Sequence, residues 1–345
     1  MLIRYNFLML KELSELIGVS GGERKVREFI RNTIQNDVSE IIEDPYGNLI
    51  VRKGKETTPK ILLAAHMDEV GFMISGIEDK GLLRFKAIGM SSRVLLAKRI
   101  LIGKNGIPGV IGHKPVHHTK KEEMKKLPEI KDLFIDIGVG SKEEAKKLVQ
   151  IGDYATFDTK FSESGDIIFG KALDDRIGCY MLIQLIKHTD LPIYCAFTVQ
   201  EETGLRTARI VAYRISPQIA IAVDTTASGE WPIEKDIPKY PEIGKGCVIT
   251  ITDRSIICDK KLVSLLEETA KKNNIPYQFK RPMIGGTDAG PIHITREGIR
   301  TAVIQTPARY IHSPLSIASK KDIEAGIKLL TVSIQKILKE EALWS

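Results

Sequence analysis

The chain has 345 residues, of which 43% are hydrophobic and 28% are charged, proportions that are ordinary for a soluble globular protein. This length predicts two domains, or one large domain with an insertion, and excludes a small scaffold that depends on disulfides. The net charge is +7, but lysines alternate with glutamates in runs such as residues 120–126, which favours a solvated surface over a nucleic-acid partner. No segment approaches the ~20 apolar residues of a membrane-spanning helix, so no membrane partner is expected.

The N-terminus has a short apolar stretch, but charged residues follow at once without a small-residue cleavage site, so a signal peptide is not expected. Apolar residues at helical spacing predict helices over residues 9–16 and 23–35. A turn rich in Pro, Gly and Asn predicts a hairpin over residues 41–51. Residues 60–65 then form a short apolar strand that leads directly into His66.

Short alternating runs punctuated by glycines follow, and they predict a small β-rich domain over residues 70–166. The runs are residues 71–74, 82–85, 99–102, 109–112 and 154–157. Only residues 141–150 have a helical pattern in this region. Because the region separates two groups of candidate ligands, we interpret it as an insertion into a catalytic domain formed by residues 1–69 and 167–345.

Helical and extended patterns alternate after residue 166. Helices are predicted over residues 176–187, 205–213, 260–272 and 320–343, and strands over residues 193–199, 218–223 and 299–305. This alternation predicts an α/β fold with a mostly parallel mixed sheet flanked by helices on both faces.

The four cysteines are scattered, mostly in apolar runs, and none forms a CxxC pair. They are Cys179, Cys195, Cys247 and Cys258. This pattern favours buried, reduced thiols and a cytoplasmic protein over a disulfide framework or a cysteine zinc site.

Six acidic or histidine residues lie at predicted strand ends or at the starts of loops. They are His66, Asp174, Glu201, Glu202, Asp224 and His312. In an open α/β sheet such positions gather at the carboxyl ends of the strands, so residues distant in sequence meet in one crevice. Each position alone has a simpler explanation, such as a buried core histidine, a helix N-cap or a solvated strand end. Together they would crowd several carboxylates without a cation, which is unfavourable.

The set is suited to a site that binds two metal ions ~3.5–4 Å apart, with His and carboxylate ligands. Glu201 lies beside a candidate ligand and would point another way if the chain were extended there, which suits a general base that takes a proton from a metal-activated water. Asp68, two residues after His66, could accept a hydrogen bond from the second ring nitrogen of that histidine.

Several longer motifs are more specific than these single positions. They are Gly18–Gly21, His66–Phe72, Gly109–Pro115, Asp132–Gly138, Ala172–Arg176, Glu201–Glu202, Asp224–Thr226, Gly285–Gly290 and Arg309–Ser313. In these motifs the chain resembles the dinuclear metallo-aminopeptidases of the glutamyl/deblocking aminopeptidase family. Members of that family form tetrahedral particles called TET, and some are labelled endoglucanase. The resemblance covers almost the whole chain and implies a zinc-peptidase-like fold.

The resemblance also implies a role for each matching residue. Asp174 would bridge two metal ions, zinc or cobalt, with His66 and Asp224 on one ion. Glu202 and His312 would hold the other ion. Glu201 would be the general base and Asp68 a supporting acid.

The resemblance further implies a position near the substrate for the loop Gly285–Gly290, which could otherwise be a plain glycine turn. It implies that dimers formed through the inserted domain assemble into a tetrahedral dodecamer.

Some positions depart from the family pattern. Thr203, Thr207 and Pro291 stand where the family commonly has valine, glycine and a small residue. Every candidate ligand is retained, so these changes bear on substrate preference or local rigidity. The chain also begins several residues before the expected start, which makes Met9 a second candidate for the functional start.

We therefore expect a cytoplasmic aminopeptidase that removes N-terminal residues from short peptides. One alternative is a deacylase or carboxypeptidase on the same dimetal scaffold, with Arg309 as a carboxylate clamp. Another is a glycosidase, which needs two carboxylates and no metal, and a third is a non-catalytic peptide-binding scaffold. Neither the preferred N-terminal residue nor the choice among zinc, cobalt and manganese follows from the sequence.

Overall fold

The computed structural model describes residues 5–119, 121–230, 240–280, 283–340 and 344. Within these residues the helices are α1 Leu8–Glu15, α2 Arg24–Ile34, α3 Lys121–Met124, α4 Lys142–Leu148, α5 Leu173–His188, α6 Ala208–Ile215, α7 Lys260–Lys272, α8 Ala289–His293 and α9 Lys320–Lys339. Among the described helices, none combines the length and the apolar character that a membrane crossing requires.

The strands belong either to one large sheet or to a small closed barrel. They are β1 Glu40–Glu43, β2 Leu49–Lys53, β3 Ile61–His66, β4 Gly71–Ile77, β5 Leu83–Ile88, β6 Arg99–Ile102, β7 Ile107–Gly112, β8 Phe134–Asp136, β9 Tyr154–Phe157, β10 Ser162–Ser164, β11 Ile167–Gly170, β12 Ile193–Thr198, β13 Ile219–Ala227, β14 Cys247–Thr250, β15 Tyr277–Lys280, β16 Arg300–Arg309 and β17 Ser316–Ser319.

The large sheet has the strand order β1-β2-β12-β3-β13-β16-β17-β11-β10, with β14 paired to β16 and β15 paired to β14. Its centre is parallel, because β12, β3, β13 and β16 all run in one direction. Antiparallel strands extend it on both sides. The prediction of a mixed sheet flanked by helices is confirmed, and the parallel pairing is concentrated in the strands that carry the candidate ligands.

Helices cover both faces of the central strands, which is why these strands are continuously apolar. Every residue of β3 is buried. Leu63 of β3 packs in the core that includes α5 and α9, whereas its neighbour Leu62 packs in the core that includes α6. Successive side chains of a strand point to opposite faces of the sheet, so alternate residues of β3 pack against the helices on each side.

The barrel is formed by β4 to β9 and is antiparallel throughout. Phe72 lies at its centre, and its ring meets those of Phe85 and Phe157 edge to face, with centroid distances of 5.2 and 5.3 Å. Such contacts stabilise aromatic pairs beyond the burial of their surface.

All five extended runs predicted between residues 70 and 166 lie in barrel strands. The strand β10, which falls inside that predicted range, instead joins the large sheet. The division into an inserted domain and a catalytic domain stays a prediction.

Most predicted elements outside the barrel are also confirmed, including the helices over residues 9–16, 23–35 and 260–272. The strands β11, β14, β15 and β17 were not predicted, because each has only four residues. Residues 341–343 of the predicted C-terminal helix lie outside the described residues. All four cysteines are buried free thiols, as predicted.

Replacing Phe72 by alanine should destabilise the protein by about 3–5 kcal/mol, because the substitution leaves a cavity at the centre of the barrel. Urea unfolding followed by fluorescence measures the change. The matched control is Leu127→Ala, since Leu127 is 52% exposed. Equal unfolding midpoints for the two variants would contradict this description of the barrel core.

Candidate active site

The predicted ligands converge at the carboxyl edge of the central parallel strands. His66 is the last residue of β3, Asp224 lies in β13, and Glu202 follows β12. His312 follows β16, and Asp174 lies at the start of α5. Adjacent parallel strands end at the same edge of the sheet, so this convergence follows from the topology.

Asp174 lies between the two histidines. Its Oδ1 is 3.3 Å from His66 Nε2, and its Oδ2 is 3.5 Å from His312 Nε2. Beyond each histidine lies a further carboxylate: Asp224 Oδ1 is 3.9 Å from His66 Nε2, and Glu202 Oε2 is 3.4 Å from His312 Nε2. One carboxylate thus faces two histidine–carboxylate pairs, an arrangement that could hold two cations.

Asp175 behaves differently from its neighbour Asp174, for which a helix N-cap was the simpler explanation. The two residues have non-helical backbone angles and are joined by a cis peptide bond. Asp175 Oδ1 accepts a hydrogen bond of 2.9 Å from the amide of Gly178, so this residue caps the regular part of α5. The N-cap interpretation therefore applies to Asp175, and Asp174 is left facing the histidines.

The pair Glu201–Glu202 lies in a turn, so the condition under which Glu201 would point away from Glu202, an extended chain, is not met. The turn begins where β12 ends, and Gln200 has a positive φ of 59°. Both glutamate side chains consequently enter the same cavity. Glu201 Oε2 lies 3.9 Å from His66 Nε2.

Asp68 fastens this turn. Its Oδ1 accepts the amide of Glu201 at 3.0 Å and its Oδ2 accepts the amide of Glu202 at 3.1 Å. Ser20 Oγ also donates to Oδ2 at 2.6 Å. His66 Nδ1 lies 3.1 Å from the backbone oxygen of Asp68 and 3.4 Å from its carboxylate, close to the predicted contact.

Glu23 also holds this turn, a role that the sequence analysis did not predict. Its Oε1 accepts the amides of Gly21 at 2.7 Å and Gln200 at 3.2 Å. Three consecutive amides, from Gln200 to Glu202, are therefore held by two buried carboxylates. Burial and the charge of Asp68 raise the pKa of Glu23 to about 7. A glutamate at the first position of a predicted helix carries no signal of such a role.

Burial and mutual repulsion perturb the acids of this cluster. Burial and the charge of Asp174 raise the pKa of Glu202 to about 8 and that of Asp224 to about 7. Burial alone would lower the pKa of His312, but its contacts with Asp174 and Glu202 raise it to about 9. Against the effect of burial, the two histidines hold the pKa of Asp174 well below its usual range.

The donor set fits divalent cations. Ligand atoms of His66, Asp174 and Glu202 all lie within 4.8 Å of one another, as do those of His66, Glu201 and Asp224. Glu202 Oε1 is buried and has no hydrogen-bond partner among the described residues. Imidazole and carboxylate groups at such distances are typical ligands of zinc and related metals.

The cluster forms one wall of a cavity of about 310 Å³. The other walls include Leu205, Thr225, Lys280, Ile284 and two glycines of the predicted substrate loop, Gly285 and Gly286. Arg309, considered as a carboxylate clamp, is not among the described residues that line this cavity. Its Nε instead lies 3.7 Å from Glu230.

Comparison with known proteins is consistent with this geometry. A model of the M42 glutamyl aminopeptidase family matches residues 47–329. The chain belongs to this family. It is thus an aminopeptidase and a hydrolase, and the M42 peptidases are metal-dependent.

M42 relatives match along almost the whole chain. A candidate aminopeptidase of Acetivibrio thermocellus is 46% identical over 332 residues, which cover 95% of this chain and 98% of the relative. The TET aminopeptidase of a marine-sediment Thaumarchaeota archaeon superposes with a TM-score of 0.93 at 35% identity, covering 98% and 99% of the two chains. The Pyrococcus horikoshii TET1 peptidase, which can assemble into a tetrahedron or a large octahedral shell, has a TM-score of 0.85 at 36% identity, with 94% and 98% covered.

The melting temperature of the chelator-treated M42 protein should fall as the pH rises from about 5 to about 9. In the folded protein Asp224 stays protonated up to about pH 7 and Glu202 up to about pH 8. In the unfolded chain both carboxyl groups lose their protons near the ordinary pKa of ~4. His312 loses its stabilising charge near pH 9. Added zinc or cobalt should reduce this fall, because metal ions replace the protons in neutralising the carboxylates.

Differential scanning fluorimetry across this pH range measures the effect. The variant Asp224→Asn should show a smaller fall than Asp190→Asn, a matched change at a fully exposed aspartate. A metal-free protein whose melting temperature rises with pH, or identical slopes for the two variants, would contradict the account of crowded carboxylates.

Proposed function

We propose that this M42 protein releases N-terminal residues from short peptides and that two divalent metal ions, zinc or cobalt, support the reaction. The observation that carries the proposal is the position of Asp174, whose two carboxylate oxygens face different histidines, each with a second carboxylate behind it. A further carboxylate, that of Glu201, lies in the same cavity.

In this proposal Asp174 would help to hold both ions. His66 and Asp224 would hold one ion, and Glu202 and His312 would hold the other. When bound, the ions act as Lewis acids that polarise the scissile carbonyl and lower the pKa of the attacking water. The remaining chemistry requires proton transfer and correct positioning by the side chains of the protein.

Glu201 is the proposed general base. It takes a proton from the attacking water and delivers it to the nitrogen of the departing peptide. Burial raises the pKa of its carboxyl well above the ordinary value, which suits a group that both accepts and returns a proton. Asp68 assists by holding the backbone amides of Glu201 and Glu202, so that both side chains keep their directions.

The position of Arg309 bears on the alternatives. A carboxypeptidase or a deacylase of carboxylate-bearing substrates needs a cation that faces the substrate carboxylate. Arg309 lies beside Glu230 and is not part of the described lining of the cavity, but Lys280 is, so the substrate panel described below decides between these activities. The aminopeptidase proposal needs no such clamp, and the retained general base argues against a non-catalytic scaffold.

We also propose that the chain forms a homo-oligomer, with dimers assembling into a tetrahedral dodecamer. The TET1 neighbour can assemble into closed shells. In this chain the barrel and the adjacent helix α4 expose the apolar side chains of Val110, Leu148 and Ile151, the last of them to 67%. Exposed apolar groups of this kind are common at protein–protein interfaces. A hollow particle would admit only short or unfolded peptides.

Hydrolysis of a panel of amino-acid p-nitroanilides tests the activity directly. The protein should release p-nitroaniline from substrates with a free α-amine, lose this activity with chelator and regain it with zinc or cobalt. The variant Glu201→Gln should lower kcat by about 10²- to 10⁴-fold, because it removes the general base. Glu297→Gln, at an exposed glutamate, is the matched control.

Two results would contradict the proposal. One is full activity of Glu201→Gln. The other is cleavage of N-acylated substrates in preference to those with a free amine, which would favour a deacylase.

Light scattering coupled to size-exclusion chromatography tests the assembly. The expected mass is that of a dodecamer of 38.5 kDa chains. The variant Ile151→Glu should lower that mass, because it introduces charge into a buried interface, whereas Glu297→Gln should not. A wild-type monomer at micromolar concentration would contradict the assembly.

A further inference from the structure

Residues 18–22, here called the glycine segment, support both carboxylates that hold the turn after β12. Ser20 Oγ donates to Asp68 Oδ2 at 2.6 Å, and the amide of Gly21 donates to Glu23 Oε1 at 2.7 Å. These two carboxylates in turn accept three consecutive amides of the turn. A displacement of the glycine segment would therefore reach the turn through both carboxylates.

The barrel strand β9 holds the first end of the glycine segment through a buried network. Thr156 Oγ1, in β9, donates to Glu69 Oε2 at 2.8 Å, and Glu69 Oε1 accepts the amide of Gly18 at 3.0 Å. Lys171 Nζ lies 2.9 Å from both carboxylate oxygens of Glu69 and balances their charge. The side chains of Thr156, Glu69 and Lys171 are all buried. Buried networks whose members are satisfied rigidify the elements that they connect.

Tyr154, two residues earlier in β9, holds the other end of the glycine segment by close packing. A Cβ on Gly22 would lie only 2.8 Å from Tyr154 Cδ2, and a Cβ on Gly21 would collide with the phenolic oxygen. Gly21 also has a positive φ of 88°, a conformation that glycine adopts readily. The ring of Tyr154 thus fits directly against the backbone of both glycines, and Glu23 is the residue that follows them.

The turn that Glu23 holds is strained. Gln200 has a positive φ of 59°, which is unfavourable for a residue other than glycine. Such conformations persist only where the surrounding structure holds them. Glu23 Oε1 accepts the amide of Gln200 at 3.2 Å, and Glu201 is the next residue. Loss of this contact would release the backbone immediately before Glu201 and change the direction of its side chain.

We propose that Tyr154 and Glu23 are positioning residues for the proposed general base. Tyr154 sets the glycine segment, the segment sets the carboxylate of Glu23, and this carboxylate fixes the backbone that directs Glu201 toward the attacking water. The inference rests on the proposed role of Glu201. The described lining of the active-site cavity includes neither Tyr154 nor Glu23. A strand of the barrel thereby contributes to the reaction without touching the substrate.

The test measures kcat and KM of the metal-loaded protein with the amino-acid p-nitroanilide that the wild type cleaves fastest. Glu23→Met removes the acceptor of the two amides but keeps a side chain of similar length, whereas Glu23→Gln keeps a carbonyl oxygen that still accepts them. Glu23→Met should lower kcat by about 10- to 100-fold with little change in KM, because a small misdirection of a reacting group is costly. Glu23→Gln should retain most of the activity, and so should the control Glu12→Met, at an exposed glutamate.

The same measurements probe the contact with the barrel. Gly22→Ala places a methyl group against Tyr154 and should lower kcat, whereas Gly140→Ala, at an exposed glycine with room for a methyl group, should not. Tyr154→Ala should also lower kcat. Adding Gly22→Ala to Tyr154→Ala should cost less than it does in the wild type, because the ring that the methyl group displaces is gone.

Repeating these changes in the Glu201→Gln background separates positioning from a general structural effect. A residue that acts by directing Glu201 has little left to direct there, so Glu23→Met and Gly22→Ala should lower the residual kcat by no more than about twofold. A loss of folded protein or of bound metal would instead lower kcat by the same factor in both backgrounds.

Two outcomes would overturn the inference and leave the proposed aminopeptidase activity standing. One is a wild-type kcat in Glu23→Met or in Gly22→Ala, and the other is an equal loss of kcat in both backgrounds. A metal-loaded protein that cleaves no free-amine substrate, or a Glu201→Gln variant with full activity, would contradict the proposed function as well.

Discussion

The crowding of buried carboxylates at one edge of the sheet is the constraint on which the site depends. Asp174, Glu202 and Asp224 converge there because the central parallel strands end together. In a cavity shielded from water these acids repel one another, and two histidines offset only part of the charge. In the proposed function, bound cations would neutralise these carboxylates and would also supply the electrophilic chemistry of the reaction. The crowding of carboxylates that we predict to destabilise the metal-free protein would then also be what makes the site bind its metal ions.

The rest of the molecule holds this cluster in place. Asp68 and Glu23 fix the turn that carries the two glutamates. The segment after β5, at the edge of the barrel, contributes Gly89, whose backbone oxygen lies 3.0 Å from His312 Nδ1. Gly89 has a positive φ of 71°, and a side chain there would approach Glu202 Oε2 to 3.2 Å. The segment that follows β5 thus contacts the candidate site, in addition to the proposed role of the barrel in assembly.

The sequence predicts well that the candidate ligands lie close together, because they directly follow apolar strands or precede a helix, and parallel topology then brings them to one edge. Asp68 was found for a similar reason, since it lies two residues after His66. Lys280 and Glu23 could not be found in this way. β15 has only four residues, too few for a reliable strand pattern, and Glu23 reaches the site through a hydrogen bond to a backbone amide. The turn at Gln200 was also missed, because its positive φ occurs at a residue other than glycine.

The metal content of the purified protein tests the central claim most directly. Mass spectrometry of the wild-type protein, after incubation with zinc and removal of the excess, should give two ions per chain. Asp174→Asn should bind fewer, because the residue proposed to contact both ions loses its charge, whereas the exposed change Asp190→Asn should retain two. A wild-type protein without bound metal, or an Asp174→Asn variant that retains both ions, would contradict the account of a two-metal site.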